Sequence, residues 1–273
     1  MSADRATCLA LAAAATVLAA CRQASSGPNV VTVAAHDYTF DAPAEIPAGL
    51  TTFHLVNRGP SLHHLQLIKL EGGKSGDDFV AALKAGGPPP QWATLAGGPN
   101  PPEPGSMTSA TLVMEPGSYA IVCFVPSLDG MPHLMKGMVR ALKVTGTSQA
   151  GAAEPAADVV MKLVDFDFQL SAPIKAGRHT IRVENAGAQP HEVAFVRLKP
   201  GKTGADFTAW GEKPEGPAPG EVHGGISGIM PGTHAFANLD LPAGEYALIC
   251  FFPDMKDGKA HFEHGMMKVI QVT

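Results

Sequence analysis

Two short runs of this chain set a thiol, an imidazole and a thioether into one loop rich in glycine and proline. CFVPSLDGMPHLMKGM covers 123–138, and CFFPDMKDGKAHFEHGM covers 250–266. Well upstream of each run another histidine, His63 or His191, follows an Asn-x-Gly turn. The candidate donor sets are His63, Cys123, His133 and Met138 in the first half, and His191, Cys250, His261 and Met266 in the second. Two imidazoles, a soft thiolate and a weak thioether select copper and suit one-electron transfer. Sulfur favours Cu(I), imidazole also accepts Cu(II), and a rigid compromise geometry reduces rearrangement between the two. Zinc would take the same nitrogen and sulfur donors but leave the aligned methionines idle. Two metal-free alternatives stay open: buried core thiols, or a Cys123–Cys250 disulfide, which needs Cα atoms within about 7 Å.

The donors recur because the chain is written twice. VNRGPSLHHLQLIKLEGGKSGDDF (56–79) lies over VENAGAQPHEVAFVRLKPGKTGADF (183–207), with Asn57 on Asn185, Gly59 on Gly187 and His63 on His191. EPGSYAIVCF (115–124) likewise lies over PAGEYALICF (242–251). Each copy exceeds a hundred residues and can hold its own core, so this is a duplicated domain rather than a solenoid. Short alternating or apolar runs bounded by Gly, Pro, Asn and Asp predict strands. In the first copy these are 30–34, 52–56, 65–70, 110–114, 119–124 and 139–144. In the second they are 159–164, 180–184, 193–198, 234–239, 246–252 and 267–272. Ser75 and Thr203 are placed to cap short helices over 77–84 and 205–210. The stretches 86–105 and 213–232 read as long surface loops. The segment TGTSQAGAAEPAAD (145–158) reads as a flexible linker.

Composition agrees with this outline and excludes several functions. The chain has 273 residues, 45% apolar and only 16% charged, with 30 Gly and 24 Pro, as expected of two all-β domains. A net charge of −5 provides no basic footprint for nucleic acid. No Ser/His/Asp arrangement or phosphate-cradling glycine loop stands out. Near the N-terminus, Arg5 precedes an apolar run from Cys8 to Ala20, too short to span a bilayer and the length of a signal-peptide core. Leu18-Ala19-Ala20-Cys21 resembles the lipobox of bacterial lipoproteins. That resemblance implies a signal peptide over 1–20, lipidation of Cys21, a tether over 21–29 and an exported protein anchored to a membrane. An ordinary secretory signal followed by a chance cysteine is the alternative. Of four cysteines, export then leaves only Cys123 and Cys250 in the folded part.

Each copy resembles the cupredoxin, or blue type 1 copper, domain. VENAGAQPHEV is similar to the plastocyanin segment bearing the first histidine ligand. The runs GSYAIVC and GEYALIC resemble the family's strand leading to the cysteine ligand, with Tyr119 and Tyr246 at the tyrosine-corner position. The loop 123–138 is similar to the ligand loop of copper nitrite reductases, with a His-x4-Met ending. The resemblance implies two tandem Greek-key β-sandwiches joined by a flexible linker, at 30–145 and 158–273 with 146–157 between. It implies one copper per domain, held by the eight residues named above, and a loop histidine exposed as the exit for electrons. Two features depart from the family pattern: His64 and Glu192 stand where many members carry Asn, and the Cys-to-His gap is longer than usual.

The function expected is one-electron transfer between redox proteins of the cell envelope, periplasmic or at the cell surface. Copper storage or delivery, and a metal-free interaction module, are the other readings. Multicopper oxidases and copper nitrite reductases need further histidines beside the cysteine or in His-x-His pairs, which the sequence lacks, so catalysis is not expected. Met131, Pro132, Leu134 and Met135 make the surroundings of His133 apolar, while Lys259, Glu263 and His264 make those of His261 polar. The additional methionines Met131, Met135, Met255 and Met267 are expected to be loop packing. His36, His54, His64, His179, His223, His234 and His264 have no aligned partner and are expected at the surface or in structural roles.

Overall fold

The computed structural model describes residues 27–86, 89–146, 152–213 and 215–273. The expected signal peptide, Cys21 and most of the tether lie outside these residues. The first copy contains β1 (Asn29–His36), β2 (Thr39–Asp41), β3 (Glu45–Pro47), β4 (Gly49–Asn57), β5 (Gln66–Leu70), α1 (Gly76–Ala85), β6 (Ala93–Gly97), β7 (Met107–Met114), β8 (Gly117–Val122) and β9 (Val139–Thr145). The second contains β10 (Val159–Val164), β11 (Asp167–Leu170), β12 (Gly177–Asn185), β13 (His191–Leu198), α2 (Gly204–Glu212), β14 (Gly220–Ile229), β15 (His234–Leu241), β16 (Gly244–Ile249) and β17 (Met267–Val272). The fold is all-β, each copy a β-sandwich of two sheet layers with one short helix.

Alternation explains how a continuous apolar strand serves two faces. Along β8 and just past it, Tyr119, Ile121 and Cys123 point into the central core, while Ala120 and Val122 join Phe79 of α1 in an outer cluster. Tyr246, Leu248 and Cys250 repeat this inward set, and Ala247 and Ile249 lie outward with Phe207 of α2. The outer face would be wet without the helices, so each helix converts a half-buried strand into a fully buried one. Ser75 and Thr203 cap them as expected, each closing a capping box with Asp78 or Asp206. The tyrosine corners also form: Tyr119 donates its hydroxyl to Glu115 O and Tyr246 to Pro242 O, both at 3.0 Å.

The copies are joined through their sheets as well as through the connecting segment. One sheet runs β11-β10-β12-β15-β7-β4-β1-β2, the other β17-β16-β13-β14-β6-β5-β8-β9-β3. At the first junction Ala237 of β15 faces Ala110 of β7, with Phe236 on Thr111 and Asn238 on Ser109. At the second, Ile229 faces Ala96, Pro99 bridges Ile226 and Pro102 bridges His223. Under the alignment that lays Cys123 on Cys250, Ala110 matches Ala237 and Pro99 matches Ile226. Both junctions therefore obey one pseudo-two-fold axis, as an isologous dimer interface does. The core is shared accordingly, in one cluster that runs from Val31 to Val272.

This arrangement corrects the reading of 86–105 and 213–232 as surface loops in the middle of both stretches, while 104–105 and 215–217 are exposed as expected. They hold β6 and β14, the strands that meet at the axis. At Gly98 and Gly225 the glycine reflects crowding rather than exposure. Gly98 (φ 138°) and Gly225 (φ 133°) are equivalents, and a Cβ on either would overlap a backbone carbonyl, of Leu65 or Val193 respectively. Gly225→Ala is therefore expected to cost about 2–4 kcal/mol in a denaturant titration, from strained φ and clash together. An unchanged midpoint would contradict this packing. Within the segment read as a linker, Glu154 is held by Arg182 at 2.6 Å and by His234 at 2.7 Å.

Candidate metal centres

Each centre is assembled from a strand start, a strand end and the loop that follows. His191 opens β13, and His63 stands just before β5 with the same inward parity as Leu65 and Leu67. Asn57 and Asn185 fix the approach. Asn57 Nδ2 donates to Ser61 O and Pro102 O while its Oδ1 accepts from Gly59 N–H. Asn185 binds Gln189 O, Ile229 O and Gly187 N–H in the same way. Cys123 and Cys250 follow β8 and β16 directly.

After the cysteine the chain makes a small excursion and returns. Pro126 bridges Pro132, and Pro253 bridges Ala260. The long Cys-to-His gap is thus absorbed in a protruding tip. On return, His133 N–H donates to Val125 O and Leu134 N–H to Cys123 O, and His261 and Phe262 repeat this on Phe252 and Cys250. A single 3-10 turn then carries the chain to Met138 and Met266, whose N–H groups bind His133 O at 3.1 Å and His261 O at 2.9 Å.

The three N and S donors of each copy converge. His63 Nδ1 lies 3.0 Å from His133 Nδ1, which lies 3.5 Å from Cys123 Sγ. His191 Nδ1 lies 3.0 Å from His261 Nδ1, itself 3.3 Å from Cys250 Sγ. In both groups all donor atoms fall within 4.8 Å of one another. Donors about 2.0–2.3 Å from a shared ion stand roughly 3–4 Å apart, so the residues fit a bound metal. All eight expected ligand residues are buried, with 0–1% exposure, and Met138 and Met266 share the core cluster of the two cysteines. Both cysteines are free thiols, so the disulfide alternative is not adopted.

Burial sets the charge states. It pushes the Cys123 thiol up to about 12 and the Cys250 thiol higher still, so in the metal-free protein both are neutral at pH 7. It pulls His133 and His261 down to about 4, with the facing histidine adding to the effect. His63 and His191 are lowered as well, burial outweighing the neighbouring carboxylates Asp37 and Asp165. A cluster of neutral donors without charge is poised to give up thiol protons to a metal.

Several features overturn or extend the sequence reading. The loop histidines are not exposed edges: Nε2 of His133 and of His261 is buried and has no hydrogen-bond partner. Tyr38 stands edge-on to His133 and Phe166 to His261, each with ring centroids 5.1 Å apart, and these rings cover the imidazoles. Leu134 is buried under α1 rather than presented beside His133. His64 and Glu192, each next to the first histidine of its copy, tie the loops. His64 Nε2 accepts from Phe124 N–H at 2.7 Å, and Glu192 Oε1 accepts from Phe251 N–H at 3.1 Å. Burial holds His64 down at about 4 and Glu192 up at about 7.

Asp37 and Asp165 were missed from sequence. His63 Nε2 lies 2.8 Å from Asp37 Oδ1, and His191 Nε2 lies 2.5 Å from Asp165 Oδ1. The signal was present in Asp37-Tyr38 and Asp165-Phe166, which stand at the same offset as His63 and His191. A third cluster, Asp254, Asp257 and His264, lies on the second tip, where Asp254 is already engaged by Gln189, Lys256 and Asp257.

No family model matches the chain, and no curated protein does. Among solved structures it is similar to the auracyanin of Roseiflexus castenholzii, at 20% identity over 44% of this chain and 99% of that one, TM-score 0.30. It is similar to the blue copper oxidase of Nitrosomonas europaea, at 15% identity over 90% and 86%, TM-score 0.26. The copper nitrite reductase of the same organism is 17% identical over 90% and 93%, TM-score 0.24. At these TM-scores the likenesses decide nothing about this chain, whose donor geometry stands on its own.

Proposed function

We propose that the protein is an exported one-electron carrier that holds a mononuclear copper ion in each copy. The observation that supports this most strongly is the twofold convergence of two imidazole Nδ1 atoms on one thiol in a buried pocket. Copper held there would supply a Cu(I)/Cu(II) couple at neutral pH. Cys123 and Cys250 would hold the metal through sulfur, and His63, His133, His191 and His261 through nitrogen. Met138 and Met266, buried in the same cluster as the cysteines, would be available as weak thioether donors. Strand ends, capped turns and backbone bonds hold these groups in place, so their positions change little with oxidation state.

Burial also favours a carrier over a delivery protein. Donors with 0–1% exposure cannot be handed to an acceptor without opening the loop. The protruding tips are the natural contacts for redox partners in the cell envelope. The first presents Leu128, 85% exposed, and Met131, 47% exposed; the second presents Met255, 68% exposed, among Lys256, Asp257 and Lys259. Surfaces this different suit different partners. Anchoring through a lipid on Cys21 rests on the N-terminal sequence alone, and mass spectrometry of the membrane-extracted protein would test it by the acyl mass on that residue.

The deciding experiment uses a soluble form that starts at Arg22, reduced and then loaded with Cu(II). The expected result is two copper ions per chain, an intense thiolate-to-copper absorption and narrow hyperfine splitting in electron paramagnetic resonance. A colourless protein without tightly held copper would remove the carrier reading and leave the donors as packing inherited with the fold.

A further inference from the structure

The turn that links β1 to β2, and its counterpart between β10 and β11, touches both histidines of its centre. Asp37 bonds His63 while Tyr38 covers His133; Asp165 bonds His191 while Phe166 covers His261. Both copies keep room for the pair. A Cβ on Gly59 would stand 2.6 Å from Asp37 Oδ1 and 2.8 Å from His63 Nε2, and one on Gly187 would overlap Asp165 and His191. Tyr38 moreover holds φ at 64°, the one non-glycine residue with positive φ among the described residues. Such a backbone persists only where the surroundings impose it.

We propose that Asp37 and Asp165 are positioning residues of the two centres. Each carboxylate accepts the Nε2–H of its imidazole, which turns the Nδ1 lone pair toward the thiol and the second imidazole. Each also adds a negative charge that favours the more oxidised state of a metal bound there. The imidazoles are fully buried while the carboxylates are 34% and 30% exposed, so the aspartates keep part of their hydration. Across a buried ring a carboxylate raises the basicity of the donor nitrogen, and an outer-shell partner of this kind fixes tautomer and ring orientation together. The inference rests on the copper reading, and its first test does not need copper.

The full chain carrying Cys250→Ser isolates the first centre. In the metal-free protein, nitrogen-15 NMR should find His63 as the Nε2–H tautomer. Asp37→Asn should retain it, because the amide oxygen still accepts, whereas Asp37→Ala should give a mixture. On loading, Asp37→Asn should weaken Cu(II) binding by about 10–100-fold, with a smaller change for Cu(I). Each tenfold change in that ratio raises the midpoint potential by about 59 mV. A His63 tautomer unchanged in Asp37→Ala would overturn the positioning role. Equal losses for Cu(I) and Cu(II), or none, would overturn the charge effect and leave a structural contact. Asp165→Asn in a Cys123→Ser chain repeats the test at the second centre. If the unsubstituted chain binds no copper, the copper reading fails, and the NMR result alone judges the carboxylate.

Discussion

Cys250→Ser is expected to remove the copper of the second copy and with it about half of the thiolate-to-copper absorption per chain. The loss at that centre should exceed the ~10–100-fold typical of an outer-shell change, because the soft anionic donor itself disappears. A serine hydroxyl is hard, neutral and reluctant to ionise. The fold should survive, since Glu192 N–H, now 3.4 Å from Cys250 Sγ, can donate to the new oxygen. Cys123→Ser should do the same at the first centre, and the double variant should be colourless. Copper counting, visible absorption and circular dichroism on the three variants check this together. Full colour in Cys250→Ser, with two coppers retained, would contradict the thiolate assignment.

The second large effect is acid lability of the metal-free protein. His133 and His261 are held near 4, against 6.5 for an exposed imidazole, chiefly by burial. A base whose folded pKa is lowered contributes stability that is complete above the unfolded value and is lost as pH falls through it. The relevant window is therefore pH 6.5 down to 4, and each residue is worth on the order of 3 kcal/mol. His64, also near 4, adds in the same direction. Glu192 opposes them: its carboxyl is raised to about 7, so its contribution is complete below 4.5 and fades as pH rises through 7. One acid against three bases leaves a net loss, large beside the 5–15 kcal/mol of a typical domain. Denaturant midpoints should fall steeply between pH 6.5 and 4 in the metal-free protein. Copper loading should move that fall to lower pH, because ligand histidines must stay unprotonated. Equal midpoints at pH 7 and pH 4 without metal would refute the buried, neutral imidazoles.

Much of the site was legible because duplication made it so. A lone cysteine before a proline-rich loop has many readings, but His63, Cys123, His133 and Met138 recur in order as His191, Cys250, His261 and Met266, and the structure buries all eight. Strands were legible where one inner face alternates with an outer one, as at Tyr119 and Tyr246. The strands β6 and β14 were not, because Gly98 and Gly225 read locally as turn residues while their actual constraint is a carbonyl from a neighbouring strand. The role of Asp37 was hidden for a related reason. An Asp-Tyr pair in a turn carries no mark of the imidazole it will meet.

The sequence by itself determined which residue types are available, how often and in what order: the duplicated donors, the strands leading to both cysteines and the capped helices. These are local or periodic properties, and side-chain chemistry with backbone geometry suffices to read them. Only the tertiary structure decided that the copies fuse through both sheets about one axis, that Asp37 and Asp165 seat the first histidines, and that Tyr38 and Phe166 cover the second ones. Those outcomes depend on contacts between residues far apart in the chain, where packing and the exclusion of water choose among partners that local pattern leaves equivalent.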